Sequence, residues 1–297
     1  MSDVWYMLSD CEQYVYHYTR ACTLAHYILP NGTLRFSSFA RLNDPREYKS
    51  FDLDGYALTE IGGDYPQIKA SMELALKTRW HIACFVIDPP DAEMTAKREA
   101  PGAQLLDAMH ERGHSRPRMW AQYADGHSGA CLVFRKALLD KAIRVHAGPA
   151  GLQVFCGPVV YSNAPVVGPL GPEPFSFSVD SVRSHGLAHT AERHIERHFS
   201  DLYLTKNRDW EAEREFRWLL RGSDESEVFV DFGRALVGIA MGELFPDPLK
   251  PAVGRYALRN DVSVTVMDWR RGVPQPKPIT PRVLLPRGDP ERPSSGW

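Results

Sequence analysis

The sequence predicts an α+β fold, a compact mixed or antiparallel sheet core decorated with helices, on three observations. Short apolar or alternating runs recur between turn residues, which is how strands read. Stretches with apolar residues at helical spacing lie between them. Their order is irregular, so the regular strand and helix alternation of a doubly wound parallel sheet is missing. With 297 residues, 43% hydrophobic and 24% charged, the chain can bury a sizeable core, which disfavours wholesale disorder, a collagen-like fibre and a coiled-coil rod.

Taken in order, strands are expected over residues 14–18, 33–38, 80–87, 129–135, 154–161, 216–221, 227–231, 236–242 and 262–269, and helices over 22–29, 67–76, 103–112, 136–145 and 179–203. Residues 163–174 carry four prolines as well as glycines and read as a long surface loop. Residues 271–297 hold seven prolines with little apolar periodicity, which predicts an extended, partly disordered tail. No internal repeat or second core is evident, so one domain over 10–270 is expected, followed by that tail.

The 35 basic residues nearly balance the 37 acidic ones, leaving a net charge of -2 and no overall positive field to capture nucleic acid or an anionic membrane. The five cysteines, Cys11, Cys22, Cys84, Cys131 and Cys156, are widely spaced without a C-x-x-C pair, which fits neither a disulfide framework nor a zinc ribbon. The first 13 residues lack a basic region followed by an apolar run, and no stretch approaches the ~18 apolar residues of a membrane helix. A cytoplasmic protein without a membrane partner is the expectation.

Four motifs carry the chemistry. Tyr16-His17-Tyr18-Thr19 ends the first expected strand. There an imidazole can bond a ribose hydroxyl or act as a base, and Thr19 offers a donor and two lone pairs; equally, the histidine can be satisfied within a core. Arg35, Ser37 and Ser38 precede Arg41-Leu42-Asn43-Asp44-Pro45-Arg46-Glu47, whose Asn-Asp-Pro is a turn signal, and Arg35 and Arg41 can hold a phosphate in fork geometry. In 119–129, Trp120 and Tyr123 share a helical face and can stack a flat ring or pack in the core, while Gly126 and Gly129 permit a turn. In 210–218, a strand places Glu213, Glu215 and Arg217 on one face, where a carboxylate pair can bind a ribose diol or steady a developing cation; a helix makes the same residues a solvated charge face.

Other signals weigh less. His185, His189, His194 and His198 form two i,i+4 pairs on nearly opposite helical faces without an H-e-x-x-H pattern, so no metal site is expected. No Walker loop, dinucleotide-binding glycine motif or G-x-S-x-G elbow is present.

Together the four motifs resemble a large bacterial family known only as a domain of unknown function, over roughly residues 14 to 245. A more distant resemblance is to the ADP-ribosyltransferase superfamily. His17 with Tyr18 and Thr19 looks like its first-strand element, Phe36-Ser37-Ser38 is similar to the second-strand hydroxyl motif of one branch, Tyr123 looks like the stacking tyrosine of the other, and Glu213-x-Glu215 resembles the E-x-E signature. The chain departs from that pattern in reading His-Tyr-Thr where the family has His-Gly-Thr, and in a large insertion between Phe134 and Trp210.

The resemblance implies a split sheet and an NAD-consuming enzyme, NAD being the substrate, that transfers ADP-ribose to an unknown macromolecular acceptor, protein or nucleic acid, in a toxin or phage-defence setting. It implies that Glu215 is catalytic and Glu213 orients the acceptor. His17, Tyr18 and Thr19 then hold ribose or carboxamide, Ser37 and Ser38 line the site, Tyr123 and Trp120 stack the ring, and Arg41 contacts phosphate. The alternatives are a non-catalytic nucleotide- or protein-sensing module of a stress or defence system, and a metal-dependent nucleic-acid-processing enzyme.

Overall fold

The computed structural model describes residues 11–39, 52–99, 111–164, 173–222, 224, 227–270 and 273–291. Its strands are β1 (Tyr14–Thr19), β2 (Thr33–Ser38), β3 (Asp54–Tyr56), β4 (Trp80–Ile87), β5 (Ala130–Arg135), β6 (Gln153–Pro158), β7 (Val160–Tyr161), β8 (Ser176–Ser178), β9 (Thr205–Lys206), β10 (Glu215–Arg221), β11 (Glu227–Asp231), β12 (Leu236–Met241), β13 (Ser263–Arg270) and β14 (Val273–Ile279). Ten of these form one mixed sheet in the order β11-β2-β4-β1-β5-β12-β13-β14, with β10 on the other edge of β4 and β6 beyond β10. Only β12 and β13 run parallel within it. Helices pack on both faces, so the fold is α+β, as the irregular element order predicts.

Period-2 alternation builds the layers. On β1, Tyr14, Tyr16 and Tyr18 join Val133, Met119 and Trp120 on one face, whereas Val15 joins Phe85, Phe134 and Trp218 on the other. Leu139 and Ile143 of the helix Lys136–Ala147 and Val253 of the helix Lys250–Asn260 cover the Val15 side. On the opposite face, Trp80, Ile82 and Leu219 lie under the helices Tyr65–Lys77 and Leu187–Tyr203. The expected single helix over 179–203 is broken by Gly186, whose φ of 87° suits glycine and separates Val179–His185 from Leu187–Tyr203.

The feature that shapes the molecule is a split along one edge of β4. Its other edge pairs with β10 from Trp80 to Val86 without interruption. On the split edge, β1 pairs at only two positions, Val15 with Ile87 and Tyr16 with Val86, while β2 pairs at Ser37 with Ile82 and Ser38 with His81. Neither ladder covers Ala83, Cys84 and Phe85 on that side. The chain bridges β1 to β2 by a helical segment: an α turn (Ala21–Thr23), a π-helix (Leu24–Ile28) and a last α turn (Leu29–Asn31) ended by left-handed Gly32.

A buried clamp sets the far wall. Asp88 accepts from the Gly113 backbone N–H at 2.6 Å and from the Tyr16 hydroxyl at 2.8 Å, and pairs with Arg112 at 3.2 Å. The Tyr18 hydroxyl donates to the Gly113 carbonyl at 2.7 Å, and Trp120 Nε1 donates to the His114 carbonyl at 2.8 Å. These bonds fix the helix Pro117–Tyr123 against β1.

Where an extended, partly disordered tail is expected after residue 270, residues 273–291 are built into the fold. Residues 273–279 are β14, antiparallel to β13, and Leu284 and Leu285 are buried after it. Pro274, Pro276 and Pro278 alternate along β14, so the residues between them make the ladder bonds and the ring-substituted nitrogens face outward. Arg255 pairs with Asp289 at 3.1 Å and Arg259 with Glu291 at 3.0 Å, which pins the segment to the helix Lys250–Asn260. Most of the expected loop at 163–174 and most of the expected helix at 103–112 lie outside the described residues.

Gly129 joins helix, turn and β1: a Cβ there would lie 2.2 Å from the Thr19 carbonyl oxygen and 2.9 Å from the Ala124 backbone. Both obstacles are main chain and cannot rotate away. Gly129→Ala is expected to destabilise the fold by roughly 1–3 kcal/mol, read as a lower urea midpoint.

Candidate functional site

The split opens into a cleft of about 900 Å³. His17 and Thr19 from β1, Ser37 from β2, Cys84 from β4, and Tyr123, Glu213 and Glu215 all line it. Its volume lies within the ~300–1,000 Å³ typical of ligand pockets.

On one wall the imidazole of His17 takes the place of a missing ladder partner. Its Nδ1 lies 3.1 Å from the Cys84 carbonyl oxygen, one of the positions the split leaves uncovered. A carbonyl only accepts, so Nδ1 carries the proton and Nε2 is the acceptor of the neutral ring. Burial, reinforced by the Arg35 charge against the bond to Cys84, lowers the His17 pKa and keeps the ring neutral. The ring also packs 5.5 Å from that of Phe85.

The other wall is a buried cluster of four charges. Asn207 caps a 3-10 helix (Arg208–Glu213) by accepting from the Asp209 N–H at 2.9 Å, and that helix ends at Arg214 in the left-handed region, φ 43°. Neither of the two readings open for 210–218, all strand or all helix, describes the pair: Glu213 ends the helix, Glu215 begins β10, and the turn at Arg214 swings both carboxylates onto Lys206. Arg214 itself is held by both oxygens of Glu93 at 3.1 and 2.9 Å.

Lys206 Nζ donates to Glu213 Oε2 at 2.7 Å and to Glu215 Oε2 at 3.1 Å. Arg217 grips Glu215 with its fork, Nε to Oε1 at 2.7 Å and Nη2 to Oε2 at 3.0 Å, and donates from Nη1 to the Tyr203 carbonyl at 2.9 Å. Tyr123 donates its hydroxyl to Glu213 Oε1 at 2.8 Å. The Glu215 N–H donates to the Tyr161 hydroxyl oxygen at 2.8 Å. Burial alone raises the pKa of Glu215, but Arg217, Lys206 and a hydrogen bond from the Cys84 thiol hold it down at about 2. Burial and the two carboxylates push the Tyr123 phenol up, so it stays a donor. The Lys206 ammonium also lies 4.7 Å from the Trp210 ring, with the Arg118 guanidinium at 5.2 Å from the same indole.

Thus the split brings together His17, Thr19, Ser37, Tyr123, Glu213 and Glu215, from four separate parts of the chain. Tyr18 borders the cleft, but its hydroxyl is committed to the Gly113 carbonyl. Ser38 serves the β2–β4 ladder. Trp120, expected to stack a ring with Tyr123, is instead fully buried, bonded to the His114 carbonyl and 5.3 Å edge-on from Tyr18. The helix Pro117–Tyr123 presents Tyr123 to the cavity and buries Trp120 in the core. Arg41 and the 42–47 motif lie outside the described residues.

Lys206 escapes sequence reasoning because a lysine nine residues before a glutamate has no local pattern that announces a contact. Two exposed aromatic rings at the cleft, Tyr27 and Phe229, escape it too, since they read there as ordinary members of a helix and a strand. His194 Nε2 donates to the Pro174 carbonyl at 2.9 Å, and the ring packs 4.8 Å from that of His198. Among the described residues no group of three His, Cys, Asp or Glu has metal-holding geometry. Nor is any helix of the described residues long and apolar enough to cross a membrane.

Residues 119–218, which include Tyr123, Lys206, Glu213, Glu215 and Arg217, match a family described as a protein of unknown function (DUF2971). No curated protein and no solved structure matches the chain.

The pH dependence follows from Glu215. A carboxyl held at about 2 in the fold and near its ordinary 4.5 in the unfolded chain stabilises fully above pH 4.5 and loses that contribution as pH falls toward 2. Urea titrations should show the wild type losing roughly 3 kcal/mol more than Glu215→Gln between those limits. Lys206→Met leaves two buried carboxylates facing each other and should cost about 3–5 kcal/mol at neutral pH, less at pH 4.

Proposed function

We propose that the chain is an NAD-consuming enzyme of ADP-ribosyltransferase type, which cleaves the bond between nicotinamide and ribose and passes ADP-ribose to an acceptor. The single observation that carries this reading is the convergence of His17 with the Glu213 and Glu215 pair on one cleft at a split in the sheet, although nearly 200 residues separate them.

In this reading NAD lies along the cleft with its nicotinamide beside Tyr123. His17 Nε2 accepts from a ribose hydroxyl, and Thr19 adds a donor and acceptor. As the glycosidic bond breaks, the electron pair leaves with nicotinamide and positive charge develops on the ribose carbon and ring oxygen. Glu215, ionised throughout because Arg217 grips it, stabilises that charge and accepts from the 2′-hydroxyl. A carboxylate has about four lone-pair positions. Arg217 fills two, Lys206 a third, and the Cys84 thiol, the weakest of these donors, is the one the hydroxyl displaces. Glu213 then takes the proton of the acceptor nucleophile as it bonds to the ribose carbon.

A second reading has one observation of its own. Both Glu215 oxygens already accept from buried cations, which suits a nucleotide-sensing module that binds without chemistry. Turnover separates the two. The wild type should release nicotinamide from NAD, with Glu215→Gln slower by about 100-fold or more and Tyr123→Phe by about 10-fold, at unchanged circular dichroism. Equal rates in the wild type and folded Glu215→Gln sink the enzymatic reading; saturable NAD binding in calorimetry without nicotinamide release supports the sensor.

A further inference from the structure

A second cavity of about 910 Å³ lies behind the carboxylate wall, with Glu215 bordering both spaces. Arg116, Arg214, Lys136, Tyr161 and Arg208 reach it from four different segments. Its carboxylates are mostly engaged. Asp88 is held by Arg112, Tyr16 and Gly113, Glu211 pairs with Arg208 at 3.3 Å, and Glu215 pairs with Arg217 and Lys206. Glu12 and Asp209 stand at exposed positions where water screens them.

The cations and donors are less satisfied. Arg116 donates from Nη1 to the Ala212 carbonyl at 3.1 Å and from Nη2 to the Glu111 carbonyl at 3.4 Å, both neutral acceptors. Its Nε–H is buried without an acceptor, and no carboxylate among the described residues pairs with it. Burial and the neighbouring Arg214 charge weaken its hold on a proton, and the more distant Glu111 and Asp88 charges offset this only in part. Lys136 rests its ammonium 4.2 Å from the Phe216 ring, without a carboxylate partner among the described residues. Tyr161 uses its oxygen to accept from the Glu215 N–H, so its own O–H remains a donor, and burial keeps it protonated.

We propose that this cavity binds a phosphate ester of nucleotide size, its phosphate oxygens accepting from Arg116, Tyr161 and Lys136. Such a group supplies what the wall lacks, two or more negative oxygens with lone pairs for several converging donors. The cavity is far larger than the phosphate alone needs, so the ester carries a body such as a sugar. The site stands independently of the NAD reading, because none of its three donors lines the first cleft.

Ribose 5-phosphate is the probe, titrated into the full chain by calorimetry at low salt, with ribose as the uncharged control. Saturable binding of the phosphate ester alone is expected, weakened by at least about tenfold in Arg116→Gln and a few-fold in Lys136→Met. Arg35→Gln, an exposed position on the first cleft, should leave it unchanged. Should Arg116→Gln fail to fold, Lys136→Met carries the same comparison. The proposal is overturned if ribose 5-phosphate does not saturate at millimolar concentration, if ribose binds equally well, or if Arg35→Gln weakens binding while the second-cavity variants do not. Tight binding of a short oligonucleotide with none of ribose 5-phosphate also overturns it, in favour of a nucleic-acid groove.

Discussion

Two strands share one edge of β4, and neither covers the middle of it. A carbonyl left without a ladder partner in a sheet interior costs free energy unless something donates to it. At Cys84 that donor is the His17 ring. The histidine therefore closes the sheet electrostatically while leaving it open sterically, and the cleft exists because a side chain stands where a backbone amide would otherwise be. The helical bridge from β1 to β2, wound wide over Leu24–Ile28, holds the strands apart along that opening.

Opposite the histidine, two carboxylates and two cations are removed from water together. Burying such groups is unfavourable unless each is paired and hydrogen-bonded, and here every carboxylate oxygen of the pair accepts at least one bond. The geometry that permits it is local: one left-handed residue, Arg214, converts a helix end into a strand start, so residues two apart in sequence meet the same ammonium. Its side chain is tied to Glu93, so the turn is held from outside the cluster as well as within. Glu215 stays ionised and rigid as a result, a preorganised charge rather than a titrating one.

How much of this was legible depends on the range of the interaction concerned. Strands at 33–38, 80–87 and 227–231 coincide with β2, β4 and β11, because each apolar run is bounded by its own turn residues. His17, Tyr123 and Glu215 could be picked out by residue type and motif. Their meeting could not, since it depends on strand order and on a ladder that stops after two pairs. Trp120 was ambiguous for a different reason: helical spacing tells which residues share a face but not which face meets the core. The prolines of β14 misled because composition predicts an unstructured tail, while their spacing of two, the strand period, was the more informative property.

That spacing bears on how the molecule meets its neighbours. Along the outer margin of β14 a visiting chain finds oxygen atoms but no amide hydrogens at Pro274, Pro276 and Pro278, so the sheet cannot grow by recruiting another copy at that end. The opposite margin, β11, has no such ring-blocked residues and displays Phe229 to solvent beside the cleft. Unlike the β14 margin, the one beside the cleft keeps the amide hydrogens that a visiting strand needs to extend the sheet.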